Sequence, residues 1–268
     1  MKIAIIGGGN MGVTYARAFV RSNIVPTENL LIVEKHDEKR VVLKQEGIAV
    51  LADDITEAIS AYDIIIVAVK PQDFITMSVQ LKSYLKPDQL ILSIMAGITI
   101  STIANHLGGH KKIARAMPNT PAQLGFGISA FAIAPEAGQD SISVIDTLLE
   151  TTGKSIFMKD ETLIDAVTAM SGSGPAYFYY FIKHMVEVGK ELGLEEHVAS
   201  LLAKQTMLGA FQMMVNSKDS LDQMIAMVAS KGGTTEAALN TFDRLGVGTG
   251  IQAAIKAAET RAKELSRG

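Results

Sequence analysis

Ile5-Ile6-Gly7-Gly8-Gly9-Asn10-Met11-Gly12 places a GxGxxG, formed by Gly7, Gly9 and Gly12, between an apolar β-branched run and a segment of helical period. Glycine-rich turns of no special function share these letters, so the context decides the reading. Each glycine answers a different steric demand. Gly7 permits a tight strand-to-helix turn, Gly9 lets a pyrophosphate approach the backbone, and Gly12 lets the helix pack closely on the strand. Met11 opens the helix just after Asn10, and the helix's free N–H groups and positive dipole end face the phosphates. With a strand before it and a helix after it, the stretch reads as a dinucleotide-binding turn.

The next strand ends in Glu34, about 20 residues beyond Gly12, the distance at which an acidic residue meets the adenosine ribose. A carboxylate there accepts from both ribose hydroxyls and repels a 2′-phosphate, which favours NADH over NADPH. Lys35 and Arg40 lie close enough in sequence to receive that phosphate instead, so either NAD(P)H form stays open. Two further loops follow later strands, at the carboxyl edge where open sheets bind ligands. They are Ala68, Val69, Lys70 and Pro71, and Ala96 with Gly97. Asn119 follows the next strand and joins the same expected cofactor set.

Outward from the motif, short apolar runs at 2–6, 30–34, 64–68, 90–94, 113–116, 128–134 and 155–158 alternate with helical periods such as 11–22, 37–46 and 72–85. Several runs lack polar alternation, as strands buried on both faces do. The expected fold class is α/β, an N-terminal Rossmann-type doubly wound sheet followed by an all-helical C-terminal domain. Strand signals stop near residue 160, which sets the domains at 1–160 and 161–268. Helices such as 199–215 are apolar or small nearly all round and call for burial inside the domain or against another subunit.

Composition narrows the classes. Apolar residues make up 48% of the 268 and charged residues 20%, an ordinary globular balance with no disordered bias. The net charge of -3 lacks the basic excess that draws a chain onto nucleic acid. With no cysteine, disulfides, thiolate metal sites and a cysteine nucleophile are all excluded, and cytoplasmic residence is expected. No run is long enough to span a membrane. No carboxylate and histidine cluster has metal-ligand spacing, so no metal is expected.

The second half carries two unusual punctuations, Ser171-Gly172-Ser173-Gly174-Pro175-Ala176-Tyr177 and Ser230-Lys231-Gly232-Gly233-Thr234-Thr235. The latter gathers backbone N–H groups and two hydroxyls at a helix start, which suits a carboxylate. A helix-to-helix turn capped by Thr234 or Thr235 fits the same letters. With AVKP at 68–71, AGITIS at 96–101, MPNTP at 117–121 and LIDAVTAMSGSGPAY at 163–177, the chain resembles the pyrroline-5-carboxylate reductase family over nearly its whole length.

That resemblance implies an enzyme reducing a small cyclic imino acid to L-proline, the last step of proline biosynthesis. It implies that Ser230, Gly232, Gly233, Thr234 and Thr235 hold the substrate carboxylate, with Thr235 the catalytic hydroxyl nearest the reacting ring. A homodimer swapped through the helical domain, often assembled further, is implied as well. Family members usually carry Pro at Lys231, His-Pro at Ser220-Leu221, and a hydrophobic or small residue at Glu236. These changes lie beside the substrate loop and bear on substrate choice more than on fold or hydride chemistry.

A protonated C=N is already an electron-poor hydride acceptor, so positioning and water exclusion suffice without a strong general acid. The lack of an obvious His-Asp or Lys-centred pair therefore suits an imine better than a ketone. The five histidines fall away from every motif and read as surface or packing residues. Two alternatives remain. A β-hydroxyacid dehydrogenase shares this layout but places a lysine four residues beyond its motif glycine, where this chain has Phe178. A non-catalytic dinucleotide-sensing protein would keep the fold without turnover. The aromatic run 177–181 and the 13 methionines read as packing.

Overall fold

The computed structural model describes residues 1–267. Among these residues eight strands, β1 (Ile3–Ile6), β2 (Leu30–Val33), β3 (Val50–Ala52), β4 (Ile64–Val67), β5 (Leu90–Ser93), β6 (Ile113–Met117), β7 (Gly127–Ile133) and β8 (Gly153–Phe157), form one sheet. Their order is β3-β2-β1-β4-β5-β6-β7-β8. In register, Ile3 of β1 pairs with Leu30 on one side and Ile64 on the other. Strand β3 has no counterpart among the apolar runs of the sequence because it is three residues long and only partly buried.

All pairings are parallel except β6 with β7. A parallel return needs a crossover of a dozen or more residues, and the short link between Met117 and Gly127 leaves no room for one. Between the strands lie α1 (Asn10–Arg21), α2 (Asp37–Glu46), α3 (Phe74–Tyr84), α4 (Ile100–His106) and α5 (Gln139–Glu150).

Strand side chains alternate between faces, so one run of apolar residues serves two cores. Ile3 and Ile5 join a cluster with Tyr15 and Phe19 of α1, while Ala4 and Ile6 join another with Phe74 and Leu81 of α3. Tyr15 is wholly buried, and its hydroxyl meets Ser129 Oγ of β7 at 3.1 Å. Burial pushes that phenol up, and the Ser129 bond only partly offsets it.

Past the sheet come α6 (Leu163–Val167), a single π-helical turn at Thr168–Gly172, α7 (Gly174–Glu191), α8 (Glu196–Asn216), α9 (Leu221–Val228), α10 (Thr234–Arg244) and α11 (Val247–Arg267). Contacts divide the chain into two compact units. One is Met1–Ser173 with the chain from Ala258 onward, and the other is Gly174–Ala257. The division thus falls later than the 160/161 border read from the strand signals. Ile164 of α6 packs on Ala130 and Ala132 of β7, which keeps the first helical turns with the sheet.

Within the second unit α7 and α8 pack closely, with Gly189 against Ala199. Yet Phe178, Tyr179, Tyr180, Leu201, Met213 and Met227 are each more than half exposed. Apolar exposure on this scale marks an interaction face.

Two outcomes are expected. A Cβ at Gly12 would stand 2.1 Å from the Gly7 carbonyl oxygen, so Gly12→Ala should cost about 3 kcal/mol or more in urea unfolding, at the top of the usual range for single substitutions. Light scattering on the purified chain should give a dimer or a larger multiple, and a well-folded monomer at micromolar concentration would contradict the reading of the exposed helices.

Candidate active site

At the carboxyl ends of β1, β2 and β4 a cavity of about 620 Å³ is lined by Gly7, Gly9, Glu34, Ala68, Val69 and Lys70, among others. The sequence therefore named much of one wall. Gly7 has φ +111°, and a Cβ on it would lie 2.6 Å from the Ala68 carbonyl oxygen, so two strand ends meet at this turn. At Gly9 an added Cβ would meet nothing within 4 Å, which leaves open space over the N-terminus of α1. A pyrophosphate fits there, against N–H groups that have no partner inside the helix. Asn10 lines an adjoining cavity with Gly9, and Met11 packs against the core beneath.

Glu34 is only 5% exposed although it borders this groove. Its Oε1 accepts from the His36 backbone N–H at 2.9 Å and meets His36 Nδ1 at 2.5 Å, while Lys39 Nζ stands 3.6 Å from Oε2. Burial pushes the carboxyl up, but the two His36 bonds and the Lys39 charge together outweigh it and hold the pKa below the ordinary value. Glu34 is therefore an anion at neutral pH. Two cations that follow Glu34 in the chain are matched with other acids. Lys35 faces Asp73 at 3.7 Å, and Arg40 pairs with Asp37 while donating to the Glu34 carbonyl oxygen at 2.6 Å.

His36 corrects the reading that every histidine lies away from the motifs. The spacing Glu34-Lys35-His36 was the available signal, since a side chain two positions past a strand end can fold back on the strand's last carboxylate. Asp53, Asp54, Thr76 and Gln80 also line the groove. They belong to no motif, and only the strand order brings them there.

Lys70 is exposed on the rim, with Pro71 beginning the 3₁₀ turn after it. Ala96, Gly97 and Asn119 do not line this groove. Asn119 Oδ1 accepts from the Ile128 N–H at 3.0 Å and closes the loop between β6 and β7. Gly97, at φ +70°, lies under the last turn of α11.

In the second unit the expected substrate loop joins α9 to α10. Gly232 takes φ +75°, and Gly233 is the N-cap of α10 without any side-chain cap bond. The Gly233 N–H donates to the Ser230 carbonyl at 3.0 Å, and a Cβ there would lie 2.6 Å from Ser230 Oγ. Glu236 Oε2 accepts from the Gly232 N–H at 2.7 Å. Two loop amides are thus satisfied internally, and the first-turn N–H groups of Thr234 and Thr235 have no partner inside the helix. Ser220 has a local purpose. Its Oγ accepts from the Gln223 N–H, and Gln223 Oε1 accepts from the Ser220 N–H, a reciprocal cap that starts α9. Phe178, at the position where the dehydrogenase alternative needs a lysine, is exposed, and Lys183 pairs with Glu187 at 3.6 Å.

Among the described residues no helix is long and apolar enough to cross a membrane, and no group of acids and histidines could hold a metal ion. Residues 161–265 match the family described as pyrroline-5-carboxylate reductase dimerisation, and residues 2–97 match "NADP oxidoreductase coenzyme F420-dependent". A pyrroline-5-carboxylate reductase of Pseudomonas aeruginosa is 36% identical over 265 residues, covering 99% of this chain and 97% of the relative. The solved pyrroline-5-carboxylate reductase of Coxiella burnetii superposes with a TM-score of 0.88 at 30% identity, covering 99% of this chain and 98% of its own. The pyrroline carboxylate reductase of Plasmodium falciparum, solved with NADP bound, gives the same TM-score at 26% identity, over 99% of this chain and 98% of that one. With sheet, glycine turn and helical unit all accounted for end to end, the chain belongs to the pyrroline-5-carboxylate reductase family.

Proposed function

We propose that the chain reduces the C=N bond of 1-pyrroline-5-carboxylate to L-proline with hydride from a nicotinamide dinucleotide, working in the cytoplasm as a homodimer or a larger assembly. The observation that carries this is the glycine turn open at Gly9, in one chain with a GGTT helix start whose Thr234 and Thr235 amides lack intrahelical partners.

The nicotinamide, when bound, supplies the hydride. Everything else falls to the chain. The α1 N-terminus and Gly9 hold the pyrophosphate, and Glu34 accepts from the ribose hydroxyls. The α10 N–H groups hold the substrate carboxylate, with the Thr235 hydroxyl beside the ring. When hydride adds to the carbon, the C=N π pair moves onto a nitrogen that already carries its proton, and a neutral amine results. No acid is consumed, so a hydroxyl and oriented amides suffice.

We read the cofactor preference as NADH. An ionised Glu34 with Lys35, Lys39 and Arg40 already matched to acids supports this, because a 2′-phosphate brings about 1.5 to 2 negative charges and must break those pairs to be held by these residues.

The decisive assay is oxidation of NADH and of NADPH with pyrroline-5-carboxylate, set beside its six-membered homologue and 3-hydroxy acids run in reverse. Turnover is expected to be highest with the five-membered imine; activity only on hydroxy acids, or on nothing, overturns the proposal. Thr235→Ala should lower kcat/KM about tenfold to a thousandfold with cofactor affinity unchanged. Glu34→Ser should shift the NADPH to NADH ratio of kcat/KM by about one to two powers of ten, or about 1.4 to 2.8 kcal/mol. An unchanged ratio, or a wild type already preferring NADPH, refutes the role given to Glu34.

A further inference from the structure

Arg115 of β6 has a side chain only 2% exposed, and the chemistry proposed above makes no use of it. Its Nη2 donates to Asp165 Oδ1 at 2.7 Å and its Nη1 to Glu161 Oε1 at 3.3 Å. Both acceptor oxygens have second partners. Glu161 Oε1 takes the Ile100 N–H at 2.7 Å, and Asp165 Oδ1 takes Ser266 Oγ at 2.9 Å. One guanidinium therefore links β6, the first residue of α4, the start of α6 and the last turn of α11.

Gly97, three residues before Ile100, completes the circuit. A Cβ on it would lie 2.7 Å from Leu265 Cβ, so the last turn of α11 sits directly on this loop. The loop leaves the carboxyl end of β5, beside β4 and on the far side of the glycine turn from Glu34. A dinucleotide whose adenosine end lies at Glu34 extends toward it, nicotinamide end foremost.

Stability alone does not explain the network. Buried ion pairs add little over apolar packing, and the buried Nε of Arg115 has no hydrogen-bond partner among the described residues, which carries a further penalty. What a planar fork does supply is fixed geometry between two carboxylates. We infer that Arg115 and the last turn of α11 are positioning elements for the nicotinamide half of the cofactor site. Arg115 acts through Glu161 on the start of α4, and Leu265 acts on Gly97. The inference rests on the dinucleotide reading of the groove and not on the identity of the imino acid.

The test compares dissociation constants for NADH, followed by nicotinamide fluorescence, and for ADP-ribose, which lacks only the nicotinamide ring. Three variants are measured beside wild type: Arg115→Lys, which keeps the charge and loses the fork; Ser266→Ala; and a chain ending at Glu264. Arg115→Lys and the shortened chain should weaken NADH about tenfold and ADP-ribose less than twofold, with Ser266→Ala intermediate. Should Arg115→Lys fail to fold, the other two variants decide. Equal weakening of both ligands, or no change in either, means a merely structural network and overturns the inference, as does a wild type that binds neither ligand. A wild type that binds NADH but does not reduce pyrroline-5-carboxylate sinks the proposed reaction and leaves this measurement standing.

Discussion

Close approach of backbone to backbone at one turn is the constraint on which the rest depends. The Gly7 carbonyl lies where a Gly12 side chain would stand, and the Ala68 carbonyl lies where a Gly7 side chain would stand. Three elements, β1, α1 and the end of β4, therefore converge without side chains between them. The convergence exposes the α1 N-terminus over open space at Gly9, and it brings the loop after β4 to the same groove. Larger residues would push helix from sheet and close the space that a pyrophosphate needs.

Around that turn the electrostatics are arranged by burial rather than by charge count. Glu34 loses water on entering the wall of the groove, and two bonds from His36 with the nearby Lys39 more than compensate. The anion is thus fixed in place and ionised. Lys35 and Arg40, cationic residues that sequence alone left free to meet a phosphate, are matched to Asp73 and Asp37. The proposed cofactor preference rests on the pairs that a bound 2′-phosphate would have to break.

The helical unit follows another logic. Its loop glycines shape a helix start rather than a strand turn, and Glu236 takes up the Gly232 amide. Its long helices leave aromatic, leucine and methionine side chains uncovered in one copy of the chain. A family match described by dimerisation over 161–265 agrees with helices that need a second copy to bury them.

The amino-acid sequence alone determined the alternation of strands and helices, the glycine turn and the helical second half. These are local properties, set by side-chain period and by the sterics of glycine, and neighbouring residues suffice to express them. It also carried Glu34, by its distance from Gly12. The tertiary structure decided the rest. Strand β3 was too short to show a period, and the reversed direction of β7 depended on the length of a connection rather than on its letters. His36 on Glu34, Asn119 turned to Ile128, and Arg115 among Glu161 and Asp165 are contacts whose partners the chain must fold to meet. A buried charge is stable only where specific partners surround it, and in a sequence those partners stand far apart with nothing periodic to join them.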